Sequence, residues 1–197
     1  MEHYYMKETN TISDEKLKHV KINDITLKFL TDNAVFSKRG LDFGTRTLLE
    51  SLENLKGKVL DIGCGYGPIG IYIKSKYDTE VTMSDINKRA LNLASKNCEL
   101  NNVKCNVIES DMYENITKKY DYIISNPPIR IGKNLLYEML FKAKDYLNEN
   151  GSLIIVVNKN QGAKTLVKDL SETYNVSVIN KNKGFYVILA KTYWLID

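Results

Sequence analysis

The sequence predicts an α/β fold: a mostly parallel seven-stranded sheet with a terminal antiparallel hairpin, preceded by a small N-terminal β-hairpin. From residue 58 onward, short apolar runs alternate with longer amphipathic stretches, which is typical of successive βαβ units. The last two apolar runs are joined only by Asn182-Lys183-Gly184, which is too short for a crossover helix and therefore makes them antiparallel neighbours. Near the N-terminus, Asn23-Asp24 separates two extended segments, as in a tight hairpin.

The individual elements follow from local patterns. Asp42 stands where a helix N-cap is expected, ahead of Leu48, Leu49 and Leu52 on one face. The seven strands of the main sheet are predicted at residues 58–62, 80–85, 104–110, 120–125, 152–158, 175–180 and 185–193. Helices are predicted between them near residues 68–77, 87–100, 132–149 and 161–174. We divide the chain into a leader with the N-terminal hairpin, residues 1–41, and a main domain, residues 42–197.

Composition restricts the class of protein. A length of 197 residues suits one compact domain, and 43% apolar with 26% charged residues is ordinary globular usage. The 28 Lys and Arg against 24 Asp and Glu give a net charge of +4, which allows a polyanionic partner without demanding one. The longest aliphatic run, Leu153 to Val157, is far shorter than the ~20 residues of a membrane span. We therefore expect a cytoplasmic protein without membrane contact.

Cysteine and histidine usage excludes several chemistries. Cys64, Cys98 and Cys105 show no C-x-x-C spacing, so neither a disulfide framework nor a zinc site is predicted. The two histidines, His3 and His19, lie near the polar N-terminus, which argues against a histidine general base or a histidine metal cluster. We expect no metal and a reaction that needs no histidine.

A glycine-rich loop follows the first strand of the main sheet. In VLDIGCGYGPIG (59–70), Gly63, Gly65 and Gly67 let the backbone turn sharply and approach a ligand, and Pro68 suits a helix start. Asp61 at the strand tip can accept hydrogen bonds from a ligand cation or from the N–H groups of the loop. The alternative is a tight turn that binds nothing, and Cys64 within it is expected to be a small packing residue.

An acidic residue follows the second strand at the distance of a nucleotide-binding motif. Residues 65–70 satisfy G-x-G-x-x-G, and Asp85 lies about 20 residues further on, where a carboxylate accepts hydrogen bonds from a ribose diol. The motif indicates a ligand that carries a nucleoside without saying which. The alternative for Asp85 is an N-cap of the helix that starts near Asn87.

A third cluster follows the strand YDYIIS. In SNPPIR (125–130), the two prolines remove two N–H groups and leave carbonyls beside the carboxamide of Asn126. Such a cluster accepts hydrogen bonds from an amino group. The alternative is a rigid loop whose Asn126 merely starts a turn.

Together these motifs resemble the class I S-adenosylmethionine-dependent methyltransferases of the Asn-Pro-Pro branch. FSKRGLDFGTRTLLE (36–50) and NPPIRIGK (126–133) are similar to the small-domain relatives of the ribosomal RNA guanine exocyclic-amino methyltransferases. The resemblance implies a Rossmann-like methyltransferase fold in residues 42–197, S-adenosylmethionine as cofactor, and methyl transfer to an exocyclic amino group, with guanine in ribosomal RNA or in a ribosomal subunit as the expected acceptor.

The resemblance also implies roles for individual residues. The glycines would line the methionine and ribose, Asp85 would hold the ribose hydroxyls, Ile86 would pack on the adenine, and Asp111 beside Met112 would contact the adenine amino group. The expected catalytic residues are Asn126, Pro127 and Pro128. The expected cofactor-binding set is Phe36, Asp61, Gly63, Cys64, Gly65, Gly67, Asp85, Ile86, Asp111, Met112 and Asn126, with the segment from Asp42 to Thr45 adjacent to the cofactor. For Asp111 and Phe36 the alternatives are a solvated carboxylate and a core residue.

One departure from the family pattern concerns the substrate. Ile129 stands where many Asn-Pro-Pro enzymes have an aromatic residue, so stacking on a flipped base is weaker or comes from Tyr66, Tyr113 or the tyrosines of the leader. The expected substrate-binding residues are Ile129, Arg130, Lys133, Lys38 and Arg39, with Arg46, Lys118 and Lys119 as further phosphate contacts. The larger enzymes of the family also carry a second domain, which we do not expect here, so we expect RNA binding to rest on the leader, surface lysines or a partner.

Other functions stay open on the sequence alone. Asn-Pro-Pro enzymes also methylate adenine amino groups and the glutamine amide of release factors. From other classes, an NAD-dependent oxidoreductase and a non-catalytic nucleotide-binding module both use a glycine-rich loop. In an NAD-dependent oxidoreductase, however, the Asn-Pro-Pro cluster would have no role.

Overall fold

A computed structural model describes residues 12–32, 41–128 and 131–193. The strands are β1 (Lys16–Ile22), β2 (Ile25–Thr31), β3 (Gly57–Ile62), β4 (Thr79–Asp85), β5 (Asn106–Glu109), β6 (Tyr120–Ser125), β7 (Leu147–Asn158), β8 (Tyr174–Asn182) and β9 (Phe185–Thr192). The helices are α1 (Phe43–Glu50), α2 (Pro68–Lys76), α3 (Lys88–Leu100), α4 (Lys133–Lys142) and α5 (Ala163–Leu170). Strands and helices thus alternate through the main domain as predicted.

The main sheet has seven strands in the order β5-β4-β3-β6-β7-β9-β8. Strands β3 to β7 pair in parallel, whereas β9 is antiparallel to both β7 and β8. The predicted seven-stranded sheet with a terminal antiparallel hairpin is therefore confirmed. Because β3, β4 and β6 are parallel, Asp61, Asp85 and Asn126 all come to the carboxyl edge of the sheet, where α/β proteins bind ligands.

Successive residues of the central strands face opposite sides of the sheet and enter two separate cores. Val59 packs in the cluster formed with α1, α2, α3 and the N-terminal hairpin, whereas Leu60 packs in the cluster formed with α4 and α5. Strands covered on both faces are continuously apolar rather than alternating, which explains the pattern of these runs.

The N-terminal hairpin is held on α3 by two asparagine side chains. Asn97 accepts from the Leu30 N–H at 2.6 Å and donates to the Leu30 carbonyl at 3.0 Å. Asn101, one helical turn further on, makes the same pair of bonds with Lys28, at 2.9 and 2.7 Å. The two carboxamides thus replace a neighbouring strand along the outer edge of β2. An ion pair between the buried Asp32 and the half-buried Arg89, at 2.6 Å, joins the end of β2 to the start of α3.

The hairpin also shares its hydrophobic core with the main domain. Val20, Ile22, Leu27 and Phe29 are buried in the same cluster as α1, α2 and α3. The division of the chain at residue 41 stays a prediction. The shared core argues against a hairpin that folds separately from the main domain.

Two boundaries differ from the sequence prediction. The predicted helix 132–149 ends at Lys142 and is followed by a 3-10 turn, Ala143–Tyr146, after which β7 already begins at Leu147. Leu147 already pairs with Tyr120, and the register between β6 and β7 then shifts before Ser152 pairs with Tyr122. Asn150, within this irregular stretch, adopts a φ of 60°. The predicted helix 161–174 is shorter for a similar reason, because Tyr174 already begins β8 and is fully buried.

The two edge strands of the sheet are short or irregular. β5 has four residues. β8 shifts register between Val178 and Asn180 and turns every second side chain to solvent along most of its length. No helix in the described part of the chain is both long and apolar enough to cross a membrane.

Candidate functional site

The glycine loop after β3 is built on positive backbone angles. Gly63, Gly65 and Gly67 have φ values of 69°, 57° and 91°, which side-chain-bearing residues rarely adopt. A Cβ at Gly63 would meet nothing within 4 Å, whereas at Gly67 it would approach Ile71, Met83 and Ala94 at 3.1 to 3.3 Å. Gly63 therefore leaves open space above the loop, and Gly67 serves the close packing of α2 on the sheet.

Asp61 lies completely buried at the tip of β3. Its Oδ2 accepts a hydrogen bond from the Gly70 N–H at 2.9 Å, while Oδ1 has no hydrogen-bond partner among the described residues. Burial raises the pKa of the carboxyl to about 7, and the nearby charge of Asp85 adds to the effect. Asp61 thus accepts a backbone N–H from the first turn of α2, and its role towards a cationic ligand stays a prediction.

Asp85 connects β4 to the glycine loop. Its Oδ2 accepts from the Gly65 N–H at 2.8 Å and its Oδ1 from the Asn87 N–H at 2.9 Å. Burial raises the pKa of this carboxyl, and the backbone hydrogen bonds oppose that shift. The N-cap of α3 is Asn87, which accepts from the N–H groups of Arg89 and Ala90. The alternative role of Asp85 as the helix cap is therefore wrong.

Asn126, at the end of β6, is tied to the first turn of α1. Its Nδ2 donates to Asp42 Oδ1 at 3.2 Å and to Thr45 Oγ1 at 3.0 Å. Asp42 is the predicted N-cap of α1, and it accepts from the Thr45 N–H at 3.0 Å. No described residue donates to Asn126 Oδ1. Ser125 Oγ donates to the Ile62 carbonyl at 2.7 Å and so fixes the ends of β6 and β3 against each other.

The two prolines after Asn126 differ in their surroundings. Pro127 is buried, and the Pro128 carbonyl accepts from the Ile131 N–H at 3.0 Å within the loop. No described residue donates to the Pro127 carbonyl, so this carbonyl and Asn126 Oδ1 are the two acceptors of the cluster that remain for a ligand.

The remaining expected site residues are partly outside the described chain. Phe36, Lys38, Arg39, Ile129 and Arg130 lie outside the described residues. Asp111 is exposed after β5, Met112 is half-buried with a φ of 45°, and Ile86 is half-buried beside Asp85. Lys133 is exposed at the first position of α4, with its Nζ 4.8 Å from the centre of the Tyr137 ring. Cys64 is buried, and burial raises the pKa of its thiol well above the ordinary value, which agrees with a packing role.

Two of the expected stacking platforms are wrong. Tyr66 packs edge-to-face on Phe29, with ring centres 5.5 Å apart. Tyr113 stacks on Tyr146 with ring centres 4.4 Å apart. Tyr66 and Tyr113 are no more than 2% exposed. Neither ring can receive a base, because each fills one of the two cores. The tyrosines of the leader lie outside the described residues.

Several expected phosphate contacts are also displaced. Lys118 and Lys119 precede β6 and therefore lie at the amino edge of the sheet, opposite Asn126, and Lys118 faces Glu80 at 3.4 Å. Arg46 donates to the Lys21 carbonyl at 2.7 Å and lies 3.3 Å from Glu50. These three residues are therefore poor candidates for contacts at the site.

Asn97 is a residue of the site that the sequence analysis missed. It is completely buried, and besides Leu30 it donates to the Tyr66 carbonyl in the glycine loop at 2.9 Å. The N-terminal hairpin and the glycine loop thus share one side chain. An asparagine within the otherwise apolar stripe of α3 is the feature of the sequence that points to such a role.

A cavity of about 630 Å³ lies at the amino edge of the sheet. It is lined by Lys58, Lys74 and Lys104 together with Asp78 and Glu80. The motifs above are all at the other edge, so we do not assign the site to this cavity. In the described part of the chain, no three His, Cys, Asp or Glu side chains come together as metal ligands.

A comparison with protein families identifies the family of this chain. The family described as Methyltransferase small domain matches residues 26–189. The chain belongs to this family. Within a methyltransferase domain, the carboxyl edge that carries Gly63, Asp85 and Asn126 is the candidate active site.

Two relatives of this methyltransferase domain differ in length. Uncharacterized protein YbxB of Bacillus subtilis (strain 168) is 37% identical over 197 residues, which cover 96% of this chain and 98% of the relative. Ribosomal RNA small subunit methyltransferase C of Haemophilus influenzae (strain 86-028NP) is 43% identical over 147 residues, which cover 72% of this chain and 44% of the relative. The chain thus spans less than half of that longer enzyme.

Solved structures of methyltransferases share the fold. The 16S rRNA N2 G1207 methyltransferase of T. thermophilus, in complex with AdoMet and guanosine, superposes with a TM-score of 0.81 at 23% identity, over 91% of this chain and 51% of that chain. The ribosomal protein L11 methylase of Lactobacillus delbrueckii subsp. bulgaricus superposes with a TM-score of 0.66 at 18% identity, over 76% of this chain and 79% of that chain. At these identities the likeness establishes the Rossmann-like methyltransferase fold.

Proposed function

We propose that this protein transfers a methyl group from S-adenosylmethionine to the exocyclic amino group of a guanine in ribosomal RNA. The proposal rests on two hydrogen-bond acceptors at the end of β6, the side-chain oxygen of Asn126 and the carbonyl of Pro127. Asn126 donates its NH2 group to Asp42 and Thr45, and no described residue donates to its oxygen or to the adjacent carbonyl of Pro127. The relatives named ribosomal RNA small subunit methyltransferase C support the choice of acceptor.

The residues of the glycine loop fit S-adenosylmethionine. The open face of Gly63 leaves room for the ligand, and the unpartnered Oδ1 of Asp61 is suited to a cationic group. Asp85 accepts backbone N–H groups with both oxygens, and as an ionised carboxylate it has further lone pairs that can accept a ribose hydroxyl. Ile86 would pack on the adenine, and the exposed carboxylate of Asp111, next to Met112, would accept from the adenine amino group. When bound, S-adenosylmethionine supplies a methyl group already activated on a sulfonium sulfur.

The chain's part in the reaction is alignment of the acceptor. The two N–H groups of the guanine amine donate to Asn126 Oδ1 and to the Pro127 carbonyl, which holds the nitrogen and favours the geometry in which its lone pair faces the methyl group. Such positioning contributes roughly 7–11 kcal/mol in favourable cases. Because an amide oxygen is a poor base, the proton of the product passes to solvent, and no histidine is required.

Recognition of the RNA requires cations near the Asn-Pro-Pro loop. Lys133 lies exposed after the Asn-Pro-Pro loop, at the start of α4, where it can contact a phosphate. Lys38, Arg39, Arg130 and Ile129 remain proposals from the sequence. A base within folded RNA must leave its stack to reach Asn126, at a cost of a few kcal/mol. A substrate in ribosomal RNA agrees with the cytoplasmic location expected from the sequence, because ribosomes are cytoplasmic.

The test compares the modified nucleosides of ribosomal RNA from cells with and without the gene by mass spectrometry. We expect one N2-methylguanosine to disappear without the gene and to return when purified protein and S-adenosylmethionine are added to the unmodified ribosomal subunits or RNA. Loss of a methylated adenine, or label transfer to release factor, would contradict the guanine assignment and leave the enzyme class intact.

Two variants separate binding from transfer. Asn126→Ala should retain S-adenosylmethionine binding and lose turnover, whereas Asp85→Ala should weaken the binding measured by calorimetry. Tighter binding of NAD than of S-adenosylmethionine would contradict the proposed enzyme class.

A further inference from the structure

We propose that Asp42 and Thr45 are positioning residues which fix the rotation of the Asn126 carboxamide, so that its oxygen and not its NH2 group faces the acceptor amine. This inference rests on the proposed function, because it explains how the acceptor described above is kept in one orientation. It assigns a role in the reaction to the first turn of α1, which is 84 residues away from Asn126 in sequence.

The first step of the argument is the hydrogen-bond capacity of Thr45. Its hydroxyl has one proton, and that proton goes to Asp42 Oδ2 at 2.5 Å, because a carboxylate can only accept. Towards Asn126, at 3.0 Å, the hydroxyl oxygen must therefore accept. Only the NH2 group of Asn126 can donate to it.

The second step concerns Asp42. Its Oδ1 lies 3.2 Å from Asn126 Nδ2 and also accepts the Thr45 backbone N–H at 3.0 Å. If the carboxamide were rotated by half a turn, its oxygen would face this carboxylate oxygen and the Thr45 oxygen with no proton between them. Asp42 and Thr45 thus act together to exclude this rotamer, because Asp42 also takes the proton of the Thr45 hydroxyl.

The third step is the rigidity of the support. Thr45 is 3% exposed, and Asp42 is held in place by capping α1. Gly44 lies between them, where a Cβ would come 2.8 Å from Phe185 Cε1, so the turn is packed against β9. A hydrogen-bonded support of this kind, in which Thr45 is buried and Asp42 half-buried, keeps the carboxamide oriented before any substrate arrives, which lowers the cost of alignment.

The first test observes the carboxamide directly and needs no substrate. In 15N-labelled protein, the side-chain NH2 signals of Asn126 are identified by their loss in Asn126→Ala. We expect them to be protected from solvent exchange in the wild type and in Thr45→Ser, and to exchange at least about tenfold faster in Thr45→Val. Equal protection in Thr45→Val would overturn the proposal whether or not the protein methylates RNA.

The second test measures methyl transfer with the same variants. Thr45→Val should lower kcat by about fivefold or more while leaving the dissociation constant of S-adenosylmethionine unchanged, since it removes a hydrogen bond that orients the acceptor only. Thr45→Ser keeps the hydroxyl and should restore kcat. If Val and Ser lower kcat equally, or if both raise the dissociation constant, position 45 acts only through packing and the positioning role is wrong.

Thermal melting accompanies both tests, because Thr45 is buried. If Thr45→Val does not fold, Asp42→Asn serves as a second variant: it can still cap α1, but it no longer offers a carboxylate to Thr45. We expect intermediate exchange protection for Asn126 in this variant, and unchanged protection would count against the role of Asp42.

Discussion

At the scale of single residues, the burial of Asp61 makes the free energy of unfolding depend on pH. Its carboxyl is fully buried and its pKa is raised to about 7, so the folded protein holds a proton that the unfolded chain releases near the ordinary value of 3.8. Between these two values the folded state binds more protons, and the free energy of unfolding therefore falls as the pH rises.

The corresponding variant is Asp61→Asn. We expect its free energy of unfolding to fall less between pH 5 and pH 8 than that of the wild type, with a difference on the order of a few kcal/mol. Urea unfolding at the two pH values measures it. Parallel pH profiles for the two proteins would mean that Asp61 is already ionised at pH 5.

The same carboxyl predicts a proton linkage for ligand binding. A cationic group next to the unpartnered Oδ1 would lower the pKa of Asp61, so binding of S-adenosylmethionine near pH 7 should release a fraction of one proton. Calorimetry in phosphate and in Tris, which differ in ionisation enthalpy, measures this release. We expect no release in Asp61→Asn, and equal binding enthalpies in both buffers for the wild type would contradict the contact.

Individual residues were predictable from sequence only where a local rule applies. Asp42 was predicted as an N-cap because capping depends on the next three residues, and this is confirmed. Its contact with Asn126 depends on two elements meeting in space, so no spacing in the sequence contains it. Tyr66 and Tyr113 were misassigned for the same reason, since a tyrosine beside a motif gives no indication of which way its ring points.

At the scale of elements, α3 supports both the hairpin and the glycine loop through Asn97. Asn97→Ala removes bonds to the Leu30 N–H, the Leu30 carbonyl and the Tyr66 carbonyl, and it leaves buried groups without partners. We expect a loss of about 2–4 kcal/mol in the free energy of unfolding and weaker binding of S-adenosylmethionine.

Asn101→Ala is the matched control for Asn97→Ala. Asn101 makes the same two backbone bonds to β2, but these bonds are exposed and the residue does not contact the glycine loop. We expect a loss of about 1 kcal/mol and unchanged ligand binding. Urea unfolding and calorimetry measure both variants, and equal effects on ligand binding would show that Asn97 does not support the loop.

The contact between α2 and β4 depends on Gly70. A Cβ at this position would come within 2.5 Å of Met83 Cγ and 2.6 Å of its Sδ, so Gly70→Ala must displace Met83 or move the helix. We expect a loss of about 1–3 kcal/mol in the free energy of unfolding. Urea unfolding measures the loss, and a variant as stable as the wild type would show that Met83 moves aside freely.

The elements themselves were largely predictable, because parallel strands buried on both faces and amphipathic helices leave different patterns. The segment from Ala143 to Gly151 was not. Its polar residues continue the sequence pattern of α4, so the sequence predicts a longer helix. In the structure the chain instead leaves the helix and pairs Leu147 with Tyr120 in the sheet. Tertiary contacts of this kind override local propensity.

At the scale of the whole molecule, the hairpin and the main domain share one core. Residues 42–197 alone would expose the apolar surface that Val20, Ile22, Leu27 and Phe29 cover, and they would lose the Asp32–Arg89 ion pair. We expect this fragment not to unfold cooperatively, whereas the full chain does. Thermal melting followed by circular dichroism compares the two, and a cooperative transition of the fragment would confirm the domain boundary predicted at residue 41.

The short β5 and the irregular β8 have a consequence for the protein in concentrated solution. An outer strand with free backbone groups is a template on which further chains can add. The limited length of β5 and the register shift of β8 each interrupt that template, and Asn175, Ser177 and Lys181, which β8 turns to solvent beside Ile179, discourage a dry contact. We therefore expect the sheet to resist lateral addition of further chains at high protein concentration.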